Sequence, residues 1–368
     1  MLFFFPFFFV FFFFCFLFYF FVLFFVLFFV LFFLHLCFFF LFFFFIFLCF
    51  FFFFLLFFLL VVFLTFSITI RRMLSLLLPS ISNTDEKQSA YMNYGYKFET
   101  VLDTLTSNSE IHLIRSLETG EAFISKVYDI YGASESDLNR YMNELHIMQK
   151  LENCENIVQV VDFIKQNDSL SLITEFCSQG DLYADILKRK MNNEMYTESE
   201  IFNIFNQILN GLNSIHSNGI THGDLKSTNI FIKDDTIKIG DFGISQKGSN
   251  DNLGTLNFLS YESILLKKTN KLSDLFQVGC ILYELATLSS PFSANTMSDM
   301  ISFFEDKNYK NYIVKDISNI YSDKLVNIIS KLLSLNTLER LEAITNYNLS
   351  RTESLNLEVS NNAQYVIA

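Results

Sequence analysis

Residues 1–70 contain no Asp, Glu, Lys or Arg, and that property splits the chain into two parts that cannot fold by one rule. All 26 basic and 38 acidic residues, and with them the whole net charge of −12, lie from Arg71 onward. The first part holds most of the 50 phenylalanines, while the second has the mixture of an ordinary acidic soluble domain. An acidic balance argues against non-specific nucleic-acid binding, which depends on Lys and Arg neutralising phosphates. The six cysteines, Cys15, Cys37, Cys49, Cys154, Cys177 and Cys280, show neither CxxC spacing nor a dense framework. Reduced thiols are therefore expected, without a zinc site or a disulfide scaffold.

An apolar helix of about 20 residues crosses a bilayer core, so the uncharged tract is long enough for up to about three spans. Arg71 and Arg72 at its end would hold the following domain on the cytoplasmic side. A secretory signal peptide is not indicated, because the basic start, short apolar core and small-residue cleavage site are missing. The tract also lacks the polar loops and small contact residues of multi-span proteins, with Pro6, His35 and a few hydroxyls as its punctuation. Phe codons are nearly all thymine, so translation of thymine-rich sequence ahead of a true start at Met73 or Met92 gives the same low-complexity composition. Composition supports both a transmembrane anchor and a gene-model artefact.

Residues 71–95 are expected to be a linker, polar and rich in Ser, Asn and Asp from Ser80. A domain is expected over 96–346, followed by a polar tail over 347–368 whose composition is that of disordered sequence. Short strand patterns occur at Tyr96–Val101, Ile111–Ile114 and Ala122–Ile124, with Glu118-Thr119-Gly120-Glu121 as a turn. Leu138, Met142, Leu145 and Met148 then mark one amphipathic helix, and two more strand runs follow at Val158–Ile164 and Ser171–Phe176. Beyond Gly180 the period becomes helical. Thr197-Glu198-Ser199-Glu200 is a capping-box signature ahead of a long helix that Ser217-Asn218-Gly219 ends, and Asp234-Asp235 joins two short strands. A β-rich lobe followed by a helical lobe is an α+β arrangement, and the cleft between such lobes is the default ligand site.

The most specific segment is His222-Gly223-Asp224-Leu225-Lys226-Ser227-Thr228-Asn229, with Asp241-Phe242-Gly243 starting twelve residues after Asn229. It resembles the protein-kinase pair H-R-D-L-x-x-x-N and D-F-G, and the region from about Tyr96 to Asn346 is similar to a eukaryotic protein kinase of the serine/threonine type. The resemblance implies a two-lobed kinase fold that uses ATP and Mg2+ on a protein substrate. It implies Asp224 as the base, Lys226 as the group that steadies the transferred phosphoryl, and Asn229 and Asp241 as metal ligands. It places Lys126 on the α- and β-phosphates and Glu144 as its helical partner. Leu172–Cys177 resembles the hinge that pairs with adenine, with Thr174 as gatekeeper, Glu175 and Cys177 beside the base and Asp181 near the ribose. Glu262 is expected to pair with Arg340, and Asp274 to anchor the catalytic loop, with Phe276 where the family usually has Trp. The run Pro291–Met297 and Tyr321–Leu325 looks most like the NIMA-related branch.

Two departures stand out. The phosphate-covering loop should read G-x-G-x-x-G-x-V, but no glycine lies between Gly95 and Gly120; its positions fall on Thr104, Thr106 and Ser109, or begin at Asp103 with one extra residue in the loop. The hydroxyls of Thr106 and Ser109 are the candidate phosphate donors there, and a looser grip on ATP is expected. Gly223 replaces the arginine that ordinarily receives an activation-loop phosphate, so blocking phosphorylation at Ser245, Ser249 and Thr255 is expected to change activity only a few-fold. His112, His146 and His216 carry no metal spacing. The expected function is a Mg2+-ATP-dependent serine/threonine kinase with a cytoplasmic kinase domain; the alternative is a pseudokinase acting as a scaffold.

Overall fold

The computed structural model describes residues 23–25, 27, 81–106, 109–166, 168–247, 254–306 and 308–350. The chain divides into two units, Met1–Asn83 and Thr84–Ala368. In the uncharged tract Leu23, Phe24, Phe25 and Leu27 are helical and exposed. The anchor expected over residues 1–70 otherwise lies outside the described residues, as do residues 351–368 of the tail expected from 347, whose residues 347–350 are helical with Tyr347 buried; among the described residues no helix is long and apolar enough to cross a membrane.

The β-rich lobe is a five-stranded antiparallel sheet of β1 (Tyr96–Thr106), β2 (Ser109–Ser116), β3 (Ala122–Asp129), β4 (Val160–Lys165) and β5 (Ser169–Glu175), in the order β1-β2-β3-β5-β4. The β2–β3 turn closes at Gly120, whose φ of +73° is left-handed and suits a residue without Cβ. Alternation along β3 puts Phe123, Ser125 and Val127 on one face and Ile124, Lys126 and Tyr128 on the other. The first face joins Phe98, Ile114 and Ile173 in a small core; the second meets helix α2 (Glu135–Lys150) through Tyr128 and Tyr141. Helix α2 starts where the Ser134 side chain accepts the Asp137 N–H, with Glu135 and Asp137 in the first turn favouring its dipole.

A helix α1 (Ile81–Met92) occupies part of the stretch expected to be linker. Its Tyr91 is 4% exposed and belongs to the Phe98–Ile114–Phe123 core. The Tyr91 hydroxyl donates to Ser125 Oγ at 2.8 Å and lies 2.9 Å from His112 Nδ1, while Lys87 pairs with Glu110 at 2.6 Å. Its sequence is polar and without an apolar period, which is why the sequence pattern did not disclose this helix. Pairing of β1 with β2 is irregular at three places, after Phe98, Val101 and Thr104, so β1 carries three residues without a partner on β2.

The helical lobe contains α3 (Leu182–Asn192), α4 (Glu198–Ser217), α5 (Tyr261–Leu266), α6 (Lys271–Thr287), α7 (Met297–Glu305), α8 (Tyr309–Ile317), α9 (Asp323–Leu332) and α10 (337–350). Thr197 and Glu200 form the reciprocal capping box that their spacing predicts. Short pairs β6 (Ile220–Thr221) with β9 (Gln246–Lys247), and β7 (Ile230–Lys233) with β8 (Thr236–Ile239), lie against these helices. Asp234 and Asp235 both take positive φ, 49° and 61°, the geometry of a two-residue hairpin turn whose twist matches the strands. Helix α6 is buried without a break from Ser273 to Ala286. Its polar side chains therefore need partners inside the protein, and several of them find the catalytic loop.

Candidate active site

Lys126 faces the cleft because it sits two residues from Tyr128 on the α2 side of β3. Its Nζ lies 2.9 Å from Glu144 Oε1 and 2.8 Å from Asp241 Oδ1, so one ammonium joins the sheet, helix α2 and the turn after β8. Desolvation opposes the charge on Lys126, but the two carboxylates outweigh it and hold its pKa well above the lysine range. Asp241 is correspondingly held below the usual carboxylate range: desolvation pushes it up, and the Lys126 charge and hydrogen bond pull it down further. Tyr128 donates its hydroxyl to Glu144 Oε2, so both oxygens of that buried carboxylate are engaged. Asp241 adopts φ +59°, a left-handed conformation that costs a non-glycine residue about 1–3 kcal/mol and that such sites commonly store.

The catalytic loop between β6 and β7 is held from below by α6. Asp274, fully buried, accepts the His222 N–H at 3.0 Å and the Gly223 N–H at 2.8 Å, and lies 2.8 Å from His216 Nε2. One turn further along, Gln277 accepts the Leu225 N–H at 2.9 Å and donates to Gly223 O at 3.0 Å. His222 lies 3.1 Å from Gly240 O through Nε2 and accepts the Asp224 N–H on Nδ1, which places its proton on Nε2. Gly223 takes φ +84°, where a side chain would be strained.

Asp224 Oδ1 accepts the Thr255 N–H at 2.7 Å and the Thr255 hydroxyl at 2.8 Å, and Oδ2 pairs with Lys226 Nζ at 2.9 Å. Lys226 also donates to Thr255 Oγ1 at 2.8 Å, closing a three-membered group. Asn229 donates from Nδ2 to Asp224 O at 2.9 Å and so steadies the loop that carries the carboxylate. Gly254 is required by close approach: a Cβ there would meet Gly223 O at 2.5 Å and Asp224 Oδ1 at 2.7 Å. Lower in the same lobe Glu262 pairs with the fully buried Arg340 at 2.6 and 2.9 Å, as expected, and the Arg340 guanidinium sits 5.0 Å from the ring centroid of Phe276.

The structure brings Lys126, Glu144 and Asp241 together in one group and Asp224, Lys226 and Asn229 in another. On the hinge, Thr174 is half-buried and Cys177 is buried, its thiol pushed up to about 11 by burial. The Glu175 carboxylate is bound by Lys238 at 2.9 Å, Lys233 at 3.0 Å and the Gln159 N–H at 2.9 Å, so its side chain serves the hinge and not a ligand. Asp181 caps α3 by accepting the Ala184 N–H at 2.8 Å. Ser109 is half-buried at the β1–β2 hairpin opposite Thr106, whose side chain lies outside the described residues. Ser245 corrects its reading as a phosphorylation candidate: it is 1% exposed, with its hydroxyl donating to His222 O at 2.9 Å. Thr255 is likewise engaged by Asp224 and Lys226, and Ser249 lies outside the described residues. Sequence reasoning missed Tyr128 and Gln277, although Tyr128 shares a β3 face with Lys126 and Gln277 a helical face with Asp274.

The family model for the protein kinase domain matches residues 107–348. The chain is 31% identical over 235 residues to the mouse (Mus musculus) serine/threonine-protein kinase Nek1, which covers 62% of this chain and 19% of that protein. It is 34% identical over 240 residues to the probable serine/threonine-protein kinase nek2 of Dictyostelium discoideum, covering 62% of this chain and 56% of that protein. With human (Homo sapiens) Nek2 the identity is 28% over 241 residues, covering 62% of this chain and 53% of that protein. The chain thus spans about half of two of these relatives and a fifth of the third. With Lys126, Glu144 and Asp241 joined in one group, Asp224, Lys226 and Asn229 in a second, and the family match running through both, the chain belongs to the protein kinase family, with similarity to its NIMA-related serine/threonine members.

Proposed function

We propose that this chain transfers the γ-phosphoryl group of ATP to serine or threonine hydroxyls of protein substrates. The observation that carries the proposal is the Lys126 ammonium held by Glu144 and by Asp241, a residue 115 positions away, in a chain that also gathers Asp224, Lys226 and Thr255. Phosphoryl transfer needs little covalent help from the protein and much positioning and charge neutralisation, which is what such an arrangement supplies.

The residues fit magnesium. Asp241 is a carboxylate with 43% of its side chain exposed at the cleft, and Asn229 spends its amide nitrogen on Asp224 O while keeping an oxygen of the type magnesium accepts. Asp241 and Asn229 would hold the ion, which when bound screens the charge on the triphosphate. Lys126 would bind phosphate oxygens, with Glu144 and Tyr128 keeping it extended into the cleft. Asp224 would accept the proton of the substrate hydroxyl as its oxygen attacks phosphorus, and Lys226, already beside Asp224 Oδ2, would neutralise charge on the moving group.

The absence of glycine from the β1–β2 turn favours a second reading, a pseudokinase that binds partners without turnover. Phosphate transfer from radiolabelled Mg2+-ATP to casein by the full chain, beside Asp224→Asn and Lys126→Met, separates the two. The wild-type signal is expected to exceed both variants by about 10²-fold or more. Equal, background-level signals from all three proteins would support the scaffold.

A further inference from the structure

We infer that Asn143 and Ser245 are positioning residues for phosphoryl transfer, a tie that holds the helix bearing Glu144 against the Asp241 turn and the catalytic loop. The inference rests on the kinase reading above. Asn143 immediately precedes Glu144 on α2, is half-buried, and donates from Nδ2 to the backbone O of Ser245 at 2.8 Å, bridging 102 positions of sequence. Ser245 is 1% exposed and uses every polar group it has. Its N–H donates to Phe242 O at 3.0 Å and its hydroxyl to His222 O at 2.9 Å, while its carbonyl receives Asn143.

Three elements therefore meet at one residue. Helix α2 sets where Glu144 meets Lys126, the turn starting at Asp241 sets where that carboxylate meets Lys126, and His222 accepts the Asp224 N–H. If α2 swings away, Lys126 loses Glu144; if the turn shifts, it loses Asp241. The tie is made of neutral hydrogen bonds internal to the chain, in a protein where Gly223 stands at the position of the arginine that ordinarily receives an activation-loop phosphate. An amide reaching a carbonyl is directional: it stabilises only the arrangement in which Ser245 O lies within reach of α2. Asn143 and Ser245 thus favour the assembled site over any arrangement with α2 displaced.

The test uses the full chain and the substitutions Asn143→Asp, Asn143→Ala and Ser245→Ala, with Asn143→Asp/Ser245→Ala as the double variant. Aspartate keeps the shape of asparagine but cannot donate and sets a carboxylate against a carbonyl, so a packing role tolerates it and a donor role does not. Asn143→Asp is expected to lower kcat roughly tenfold with KM for casein within about twofold, and the double variant to fall short of the product of the singles. Hydrogen exchange of the amides from Phe242 to Gln246 is expected to accelerate in Asn143→Asp, a readout that needs no turnover. Wild-type kcat in Asn143→Asp with unchanged exchange would overturn the inference, as would kcat losses that only follow the loss of folded protein. Should the wild-type chain show no transfer at all, the kinase reading fails, and the exchange measurement still decides the tie.

Discussion

Gly223 bears on backbone energetics. Its φ of +84° lets two hydrogen bonds reach α6 without steric cost, whereas a Cβ there costs about 1–2 kcal/mol. Gly223→Ala is expected to lower stability by about that amount in chemical denaturation, with the position of Asp224 retained. The triple alanine variant at Ser245, Ser249 and Thr255 no longer isolates phosphorylation, since two of those hydroxyls are structural; Thr255→Ser, which keeps its bonds to Asp224 and Lys226, is the cleaner control. Glu284, buried on α6, has an Oε2 with no hydrogen-bond partner among the described residues, and burial pushes its pKa up to about 7 despite a hydrogen bond from Ser227. Its folded value lies above its unfolded one, so its stabilising contribution is present below the unfolded value of 4.5 and is lost as pH rises to about 7. Glu284→Gln is therefore expected to raise stability at pH 8 by on the order of 3 kcal/mol and to flatten the pH dependence between those limits. Lys126, Glu144, Asp224, Asn229 and Asp241 were legible because their chemistry demands particular residue types at particular spacings. Asn143, Ser245 and Thr255 were not, because they act through backbone groups or hydroxyls that many residue types supply and only the tertiary structure aims.

Helix α1 shows the same limit for an element. Its polar sequence carried no period, and the partners of Tyr91 sit on β2 and β3, so nothing local announced it. Truncation of a buried aromatic of this kind costs about 3–5 kcal/mol, and Tyr91→Ala should lower the thermal midpoint accordingly. The His112 that Tyr91 touches is held below the ordinary histidine value, chiefly by burial and despite the hydrogen bond to Glu110. Its folded pKa is depressed, so its contribution is intact above the unfolded value of 6.5 and is lost as pH falls from there through the folded value. Replacing His112 by Asn is expected to remove that acid-side slope, read by denaturant melts between pH 7 and pH 5. Strands β2, β3 and β5, helix α4 and the Asp234-Asp235 hairpin were legible from alternation, the capping box and turn chemistry. The bulges of β1 were not, because register is settled across strands and not along one.

At the scale of the kinase unit, nucleotide would engage groups contributed by both lobes, Lys126 from β3 and Asp241 from the turn after β8. A ligand of this kind stabilises the folded unit by mass action, about 2.7 kcal/mol at a hundredfold excess over Kd. Mg2+-ATP is expected to raise the thermal midpoint of the full chain and to leave that of Lys126→Met unmoved; equal shifts in both would remove Lys126 from the binding set. The two-lobed plan was readable from the change of period near Gly180, since strand and helix patterns are properties of local sequence.

The placement of β1 and α1 ahead of residue 107, where the family match begins, has a practical side. Recombinant protein trimmed to the matched span would present β2 with a naked hydrogen-bonding edge and open the pocket that Tyr91 plugs, inviting strand-to-strand association between molecules. Solubility in expression trials should then depend on whether the cloning boundary lies before or after Ile81.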